Sequence, residues 1–445
     1  MGQLFGTDGI RGVANTELTP ELALGLGRAV VRTLREQGTD RPRVLVGRDP
    51  RASGDMIEAA LGAGLASAGG DAVVLGVVPT PGVAHLTLEL GADAGAVISA
   101  SHNPVGDNGI KFFGRDGYKL TDASEDRVEE LLQLTYEERP TGAAIGRVDR
   151  PTGVLDPYQD HLVRAAGGVR LDGLDLVVDC ANGAASELAP EVFAALGARV
   201  HAIHAEPDGA NINDGCGSTH PEALQHEVVT RGADVGIAHD GDADRVIAVD
   251  DTGAVVDGDV ILAILATRLR DERGLDSVVT TVMTNLGFKL AMEREGIAVS
   301  ETKVGDRYVL EAMRAAGHPL GGEPSGHLIL ADHATTGDGI LTAVKLLATI
   351  TSSGRSLAEL AKVMERLPQV LVNVRDVDRG HLSGAEAVWD AVRAEEAALG
   401  DTGRVLVRAS GTEPLVRVMV EAETAERAQE SADRLAGVVA EHLRR

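Results

Sequence analysis

Three aspartates alternate with small residues in the run His239-Asp240-Gly241-Asp242-Ala243-Asp244-Arg245. In an extended segment alternate residues share a face, so Asp240, Asp242 and Asp244 are expected to converge on one cation while Gly241 and Ala243 leave room. Hard oxygen donors suit Mg²⁺. An EF-hand calcium loop needs Gly at its sixth position and Glu at its twelfth, where this chain has Arg245 and Asp251, and the run continues as a strand-like Val246 to Val249. Three like charges this close require a counter-ion.

Four other runs carry groups of the right kind. Val97-Ile98-Ser99-Ala100-Ser101-His102-Asn103-Pro104, continuing through Asp107 to Lys111, passes from a small apolar half to a hydroxyl, an imidazole, an amide and a lysine. It reads as a buried strand ending in a polar loop, the position where open α/β sheets place their sites. Lys111 reads as a mobile ammonium able to hydrogen-bond a transferring group near Ser101. Gly322-Glu323-Pro324-Ser325-Gly326-His327 offers an acceptor, a hydroxyl and an imidazole in a glycine-loosened turn suited to a sugar hydroxyl or amine. Ser410-Gly411-Thr412-Glu413-Pro414, flanked by Arg408 and Arg417, joins two hydroxyls to two planar guanidinium forks that match phosphate oxygens. Near the start, Phe5-Gly6-Thr7-Asp8-Gly9-Ile10-Arg11-Gly12 packs three glycines around Arg11.

The elements that must hold these runs follow a repeated grammar. A helix over 19 to 36 capped by Thr19, a strand at Arg43 to Val46, a helix capped by Ser53 and running to Ala68, and strands at Ala72 to Val78 and Ala94 to Ser99 make a β-α-β alternation. A second unit has strands at Leu174 to Asp179, Arg199 to His204 and Val235 to Ala238, with helices at Ser186 to Leu196 and Pro221 to Arg231. Gly91-Ala92-Asp93-Ala94-Gly95 before the serine loop matches Gly232-Ala233-Asp234-Val235-Gly236 before the aspartate loop, which favours shared architecture. A third unit has strands at Ser277 to Val282 and Ala298 to Glu301 and helices at Phe288 to Glu295 and Tyr308 to Ala316. After Pro368 come a strand, a helix, two strands and a terminal helix from Ala425, a small α+β domain. The predicted fold class is α/β: three similar domains with mixed sheets over 1–152, 153–253 and 254–368, plus a smaller domain over 369–445.

Length and composition bound the function. A chain of 445 residues suggests about three domains, with four in reach. Only 2% of residues are aromatic, so Ala, Val, Leu and Gly must fill the core. A net charge of −26 repels polyphosphate backbones and argues against nucleic acid or an anionic membrane as partner, so an anionic substrate must meet locally gathered Arg and Lys. Cys180 and Cys216 form neither a metal pattern nor a disulfide framework. With no basic-apolar leader and no span longer than Val260 to Ala266, a cytoplasmic enzyme is expected. Walker, Gly-x-Ser-x-Gly and dinucleotide motifs are absent.

Taken in order, these runs resemble the α-D-phosphohexomutase superfamily, most closely its bacterial phosphoglucosamine mutase branch. Beside the loops above, Asn211 to His220 (Asn-Ile-Asn-Asp-Gly-Cys-Gly-Ser-Thr-His) and Thr302 to Tyr308 (Thr-Lys-Val-Gly-Asp-Arg-Tyr) carry the resemblance to that branch. Pro324 and Ala409 depart from it, standing where glutamine and proline are common.

The resemblance implies four domains in a heart-shaped arrangement, each lending one loop to a central cleft. It implies an isomerase that reversibly converts glucosamine 6-phosphate to glucosamine 1-phosphate through a glucosamine 1,6-bisphosphate, feeding UDP-N-acetylglucosamine and cell-wall synthesis. Ser101 is then the phosphoserine. Asp240, Asp242 and Asp244 hold Mg²⁺ together with a phosphate oxygen on Ser101, and glucosamine 1,6-bisphosphate or another hexose bisphosphate acts as activator. Arg11, Lys111 and His327 assist charge or proton transfer. Glu323 and Ser325 read the sugar with Lys303 and Asp306 nearby, His102, Asn103 and Arg245 position it, and Arg408, Ser410, Gly411, Thr412 and Arg417 grip the non-reacting phosphate. The implied partner is a small phosphosugar, with a homodimer compatible; phosphomannomutase or phosphoglucomutase activity, or phosphosugar binding without catalysis, are the competing readings.

Overall fold

A computed structural model of the chain describes residues 4–6, 8–134, 139–410 and 415–444. The chain forms two compact units, Met1–Met283 with Ile297–Lys362, and Thr284–Gly296 with Val363–Arg445.

The first unit holds three mixed sheets. In the six-stranded one, Ala94–Ile98 runs parallel to Arg43–Arg48, itself parallel to Asp71–Val77, while Asp107–Gly114 folds back antiparallel onto Ala94–Ile98 and carries Ile10–Val13 on its other side. The five-stranded sheet repeats this plan: Asp175–Asp179 lies parallel to Val235–His239, and Val246–Asp250 returns antiparallel. In the four-stranded sheet, Ser277–Thr281 and Leu320–Gly322 are parallel and Leu328–Leu330 returns antiparallel. The match seen between the first two units is thus a match of topology. The second unit carries an all-antiparallel sheet in which Leu415–Glu421 lies between Gln369–Arg375 and Arg404–Ala409.

One rule follows from these registers. The serine, aspartate, third and phosphate loops each join two antiparallel neighbours, so every candidate loop closes a hairpin. The run from Asp107 to Lys111, read above as loop, is strand: its backbone pairs with Ile10–Val13 and Ala94–Ile98 at once, which overrides the turn signal of Asp-Asn-Gly.

Helix Pro20–Glu36 begins as expected, with the Thr19 hydroxyl accepting the Leu22 amide at 3.2 Å and Pro20 in the first turn. Helix Ala52–Ser67 does not begin at a Ser53 cap. Arg51 takes the cap position with no side-chain capping bond, and the Ser53 hydroxyl instead accepts the Asn108 side-chain amide at 2.9 Å. Low aromatic content is offset by close approach of small residues. Where these two helices cross, a Cβ on Gly64 would lie 2.2 Å from the Leu24 carbonyl oxygen, and one on Gly27 2.5 Å from that of Leu61.

In the second unit, helix Leu286–Arg294 packs with the C-terminal segment. The Asn285 side chain exchanges hydrogen bonds of 3.0 Å with the Leu367 backbone, and the buried Glu421 accepts the Leu286 amide at 2.8 Å and the Arg404 guanidinium at 2.9 Å. Among the described residues no helix is long and apolar enough to cross a membrane.

Gly64→Ala tests the helix crossing. Forcing the two backbones apart is expected to lower unfolding free energy by about 1–3 kcal/mol in denaturant titration, the usual penalty of overpacking.

Candidate active site

Ser101 sits 1% exposed in the first hairpin, and its backbone is left-handed at φ 52°. Its hydroxyl donates to Asp240 Oδ2 at 2.6 Å, with His102 Nδ1 at 3.3 Å. The three aspartates do gather: one oxygen from each of Asp240, Asp242 and Asp244 lies within 4.8 Å of the others. The cause differs from the expected one. Residues 240–244 are a tight turn rather than an extended run, and Ala243 at φ 57° folds the third carboxylate back onto the first two.

The electrostatics of this turn are those of a cation site. Burial, then the neighbouring Asp244 and Asp242, push the Asp240 carboxyl well above the usual carboxylate range. Burial acts the same way on Asp244, but His327, Lys111 and Arg245 outweigh it and hold that carboxyl below the usual range. Asp242 Oδ2 accepts from Thr80 Oγ1 at 2.6 Å and from Lys111 Nζ at 3.2 Å. Asp242 Oδ1 and Asp244 Oδ1 are buried without a hydrogen-bond partner. Orphaned hard oxygens beside a crowded carboxylate fit a divalent cation, and these three residues could hold one.

Lys111 is not the mobile ammonium expected of it. It stands on strand Asp107–Gly114 opposite Val97, 3% exposed, with Asp242 at 3.2 Å and Asp8 at 3.5 Å. Burial lowers its pKa, but Asp8, Asp242 and Asp244 outweigh that and keep it charged.

The third loop is also tighter than expected. Gly326 does not loosen it: at φ 89° a Cβ there would meet the Val246 carbonyl oxygen at 2.1 Å, and Val246 donates its amide to the Gly326 carbonyl at 3.1 Å. The third loop is thereby fastened to the strand that leaves the aspartate turn. His327 is buried, its Nδ1 3.5 Å from Asp244 Oδ2. Burial would lower its pKa, but Asp244, Asp306 and Glu323 raise it to about 9. The Gly337 amide, pointing at Nε2 from 3.1 Å, favours the neutral ring instead. Both states keep a proton on Nδ1 facing Asp244, and a ring under opposed demands is suited to gaining and losing the other.

A cavity of about 470 Å³ opens above these groups, lined by Ser101, Asp244 and Arg245, by Asp306, Glu323 and His327, and by Asp8 and Arg11 of the amino-terminal motif. Glu323 Oε1 accepts the Gly305 amide at 3.0 Å, joining the third loop to the Thr302 to Tyr308 run. Of the residues expected to bind the substrate in this unit, four lie off the cavity lining. His102 is half-buried and held neutral by burial and then by Arg245 and Arg11, which drop its pKa to about 4. The Asn103 amide turns onto its own loop at Asp107 (3.0 Å). Lys303 stands 6.0 Å from the Tyr308 ring, and Ser325 has a buried hydroxyl without a partner.

In the second unit, Arg408 and Arg417 face each other across antiparallel strands, a directly opposed pair of like charges. Burial and then Arg417 lower the pKa of Arg408. Ser410, buried beside them, donates its amide to the Leu415 carbonyl at 3.0 Å and receives Arg379 on its own carbonyl. Gly411 and Thr412 lie outside the described residues.

Sequence reasoning missed several members. Lys119, one of only six lysines, bridges Asp8 at 2.6 Å and Asp306 at 2.5 Å, so two cavity carboxylates stay ionised against burial. Asp49 and Arg51 lie fully buried behind Ser101. Their signal was available: Gly47-Arg48-Asp49-Pro50-Arg51 puts a charged cluster straight after an apolar strand.

Comparison with known proteins gives these groups a context. Models described as phosphoglucomutase/phosphomannomutase alpha/beta/alpha domains I, II and III match residues 2–139, 156–253 and 257–367, and the model of the C-terminal domain matches 371–438. The chain is similar to a phosphoglucosamine mutase of Streptomyces griseus, at 59% identity over 99% of both chains, and to one of Thermobifida fusca, at 58% over 100% of this chain and 99% of that one. Among solved structures it is similar to a phosphoglucomutase/phosphomannomutase family protein of Burkholderia thailandensis, with a TM-score of 0.82, 26% identity, and 99% and 98% of the two chains covered. With four consecutive models and full-length relatives in agreement, the chain belongs to the phosphoglucomutase/phosphomannomutase family.

Proposed function

We propose that the chain interconverts glucosamine 6-phosphate and glucosamine 1-phosphate, with Ser101 as the group that carries phosphoryl between them. The observation that carries this reading is the Ser101 hydroxyl, 2.6 Å from the foremost of three gathered, partly orphaned carboxylates, at the base of a cavity large enough for a phosphosugar. The full-length relatives named phosphoglucosamine mutase support the substrate. So does Glu323 at the cavity wall, a carboxylate able to accept from an ammonium on the sugar.

Phosphoserine 101 gives its phosphoryl to O1 of glucosamine 6-phosphate, forming the 1,6-bisphosphate, and the serine oxygen takes up a proton. The bisphosphate turns over and returns its 6-phosphoryl to Ser101, releasing glucosamine 1-phosphate. Phosphoryl transfer asks the protein for position and charge neutralisation more than covalent help. Lys111, fixed by Asp242 and Asp8, and Arg11 at the cavity wall supply positive charge beside the transferring group. Asp240, Asp242 and Asp244 would hold Mg²⁺, which would neutralise negative charge spread over the phosphoryl oxygens. His327 keeps a proton at Nδ1 beside Asp244 and gains or loses the one at Nε2. Arg408 and Arg417, with Ser410, Gly411 and Thr412, grip the phosphate that does not react. Residues 1–152, 153–253, 254–368 and 369–445 then divide the work as phosphoserine, metal, sugar and phosphate domains. The same reading makes this a cytoplasmic enzyme of small phosphosugars, activated by a hexose bisphosphate and needing neither nucleic acid nor membrane.

Three measurements check it. In a phosphorus NMR assay with glucosamine 6-phosphate, Mg²⁺ and a trace of sugar bisphosphate, Ser101→Ala should show no turnover, and full activity there refutes the mechanism; a clear preference for mannose or glucose 6-phosphate refutes the substrate. Chelation should abolish activity and added Mg²⁺ restore it, whereas Asp242→Asn should stay low at any Mg²⁺ concentration that restores the parent. Arg417→Ala should raise KM by on the order of 10- to 100-fold, the loss of one charge-assisted phosphate contact, and an unchanged KM removes the cradle from the reading.

A further inference from the structure

Arg51 is among the largest fully buried side chains of the protein, and every N–H of its guanidinium is committed. Nε donates to Asp49 Oδ2 at 2.9 Å. One terminal nitrogen donates to the carbonyls of Ser101 (3.0 Å) and Asn103 (2.7 Å), and the other to those of Asp107 (3.1 Å) and Pro104. Five donors meet one carboxylate and four backbone carbonyls of a single hairpin loop.

The loop's amide side is tied to the same anchor. Ser101 donates its backbone amide to Ser99 Oγ at 2.9 Å, and Ser99 Oγ donates to Asp49 Oδ2 at 2.6 Å. From the second sheet's side, the Asn213 side-chain amide reaches the carbonyls of Ser101 at 2.9 Å and Asn103 at 3.2 Å. Ser101 is thus gripped at its amide and its carbonyl in a left-handed conformation that non-glycine residues seldom adopt. That conformation aims Oγ at Asp240.

We infer that Arg51, anchored by Asp49, is a positioning residue for phosphoryl transfer: it holds the Ser101 loop in one left-handed shape so that the serine oxygen returns to the same place after every transfer. The inference rests on Ser101 being the phosphoryl carrier. With no N–H to spare, Arg51 touches neither substrate nor reacting atoms and acts through the loop. Its planar fork is the requirement. Lysine at this position has the charge but cannot send donors in five fixed directions. The helix at Ala52–Ser67 starts without a side-chain cap because the guanidinium at its cap position carries only donors.

The test is single-turnover transfer from phosphorylated Ser101 to glucosamine 6-phosphate in the full-length protein and in Arg51→Lys and Ser99→Ala. The rate constant is expected to fall by about 10²-fold in Arg51→Lys, the scale of a small misplacement of a reacting group. It should fall by about tenfold in Ser99→Ala, the worth of one hydrogen bond. KM should stay within about threefold of the parent value in both, because the substrate contacts are intact. A merely structural role would lower the amplitude, which counts folded protein, and leave the rate constant alone. Rate constants unchanged in both variants, with Ser101→Ala inactive, overturn this inference only. If Arg51→Lys does not fold, an unchanged rate constant in Ser99→Ala overturns it by itself. Full activity in Ser101→Ala overturns the carrier reading and this inference together.

Discussion

Gathering three carboxylates in a buried turn is unfavourable, and much of the first unit is arranged around that fact. Like charges this close cannot all stay ionised without compensation, and burial removes the water that would otherwise screen them. The protein compensates on several sides. Lys111 comes up from a neighbouring sheet, Thr80 donates a hydroxyl to Asp242, and His327 faces Asp244. Two carboxylate oxygens remain unmatched, which leaves the turn receptive to a cation. Buried negative charge that is incompletely paired is what gives a cation a reason to settle there.

The hairpin rule explains how such a turn can be built at all. Each candidate loop is held at both ends by antiparallel neighbours, and the loops of the first unit are bonded to one another as well as to their own strands. Val246 donates to Gly326, Thr80 to the Asp242 carbonyl, and Gly339 to the Ala243 carbonyl. A loop tied at several points loses its freedom during folding and not during the reaction, which is the sense in which a site is preorganised.

Much of this was legible in the sequence. The alternation of strands and helices emerged from apolar runs and caps, and elements such as Ala425–His442 and Arg43–Arg48 lie where the pattern put them. Residue type located Ser101, the three aspartates, Glu323 and His327. Geometry was less legible, because it depends on pairing between distant segments. Asp-Asn-Gly-Ile-Lys reads locally as a turn, and only two flanking strands make it a strand and bury Lys111. Alternating aspartates suggest an extended segment, and only the left-handed Ala243 reveals a turn. The run Arg48-Asp49-Pro50-Arg51 flags a charged cluster after an apolar strand, but nothing local says that four carbonyls of a hairpin some fifty residues downstream will enclose Arg51.

The helix Leu286–Arg294 has a consequence for how the chain acquires its fold. Its partners, Leu367 and Glu421, lie far along the chain, so during synthesis the helix emerges long before the surface that receives it. Until then Asn285 lacks its bonds to Leu367 and Leu286 lacks the Glu421 carboxylate. The second unit is therefore discontinuous in sequence. A fragment starting near residue 363 would lack one of its own helices, and a chain cut before that point would carry the helix with nowhere to put it. This part of the molecule therefore cannot close before the last strand, which carries Glu421, has been made.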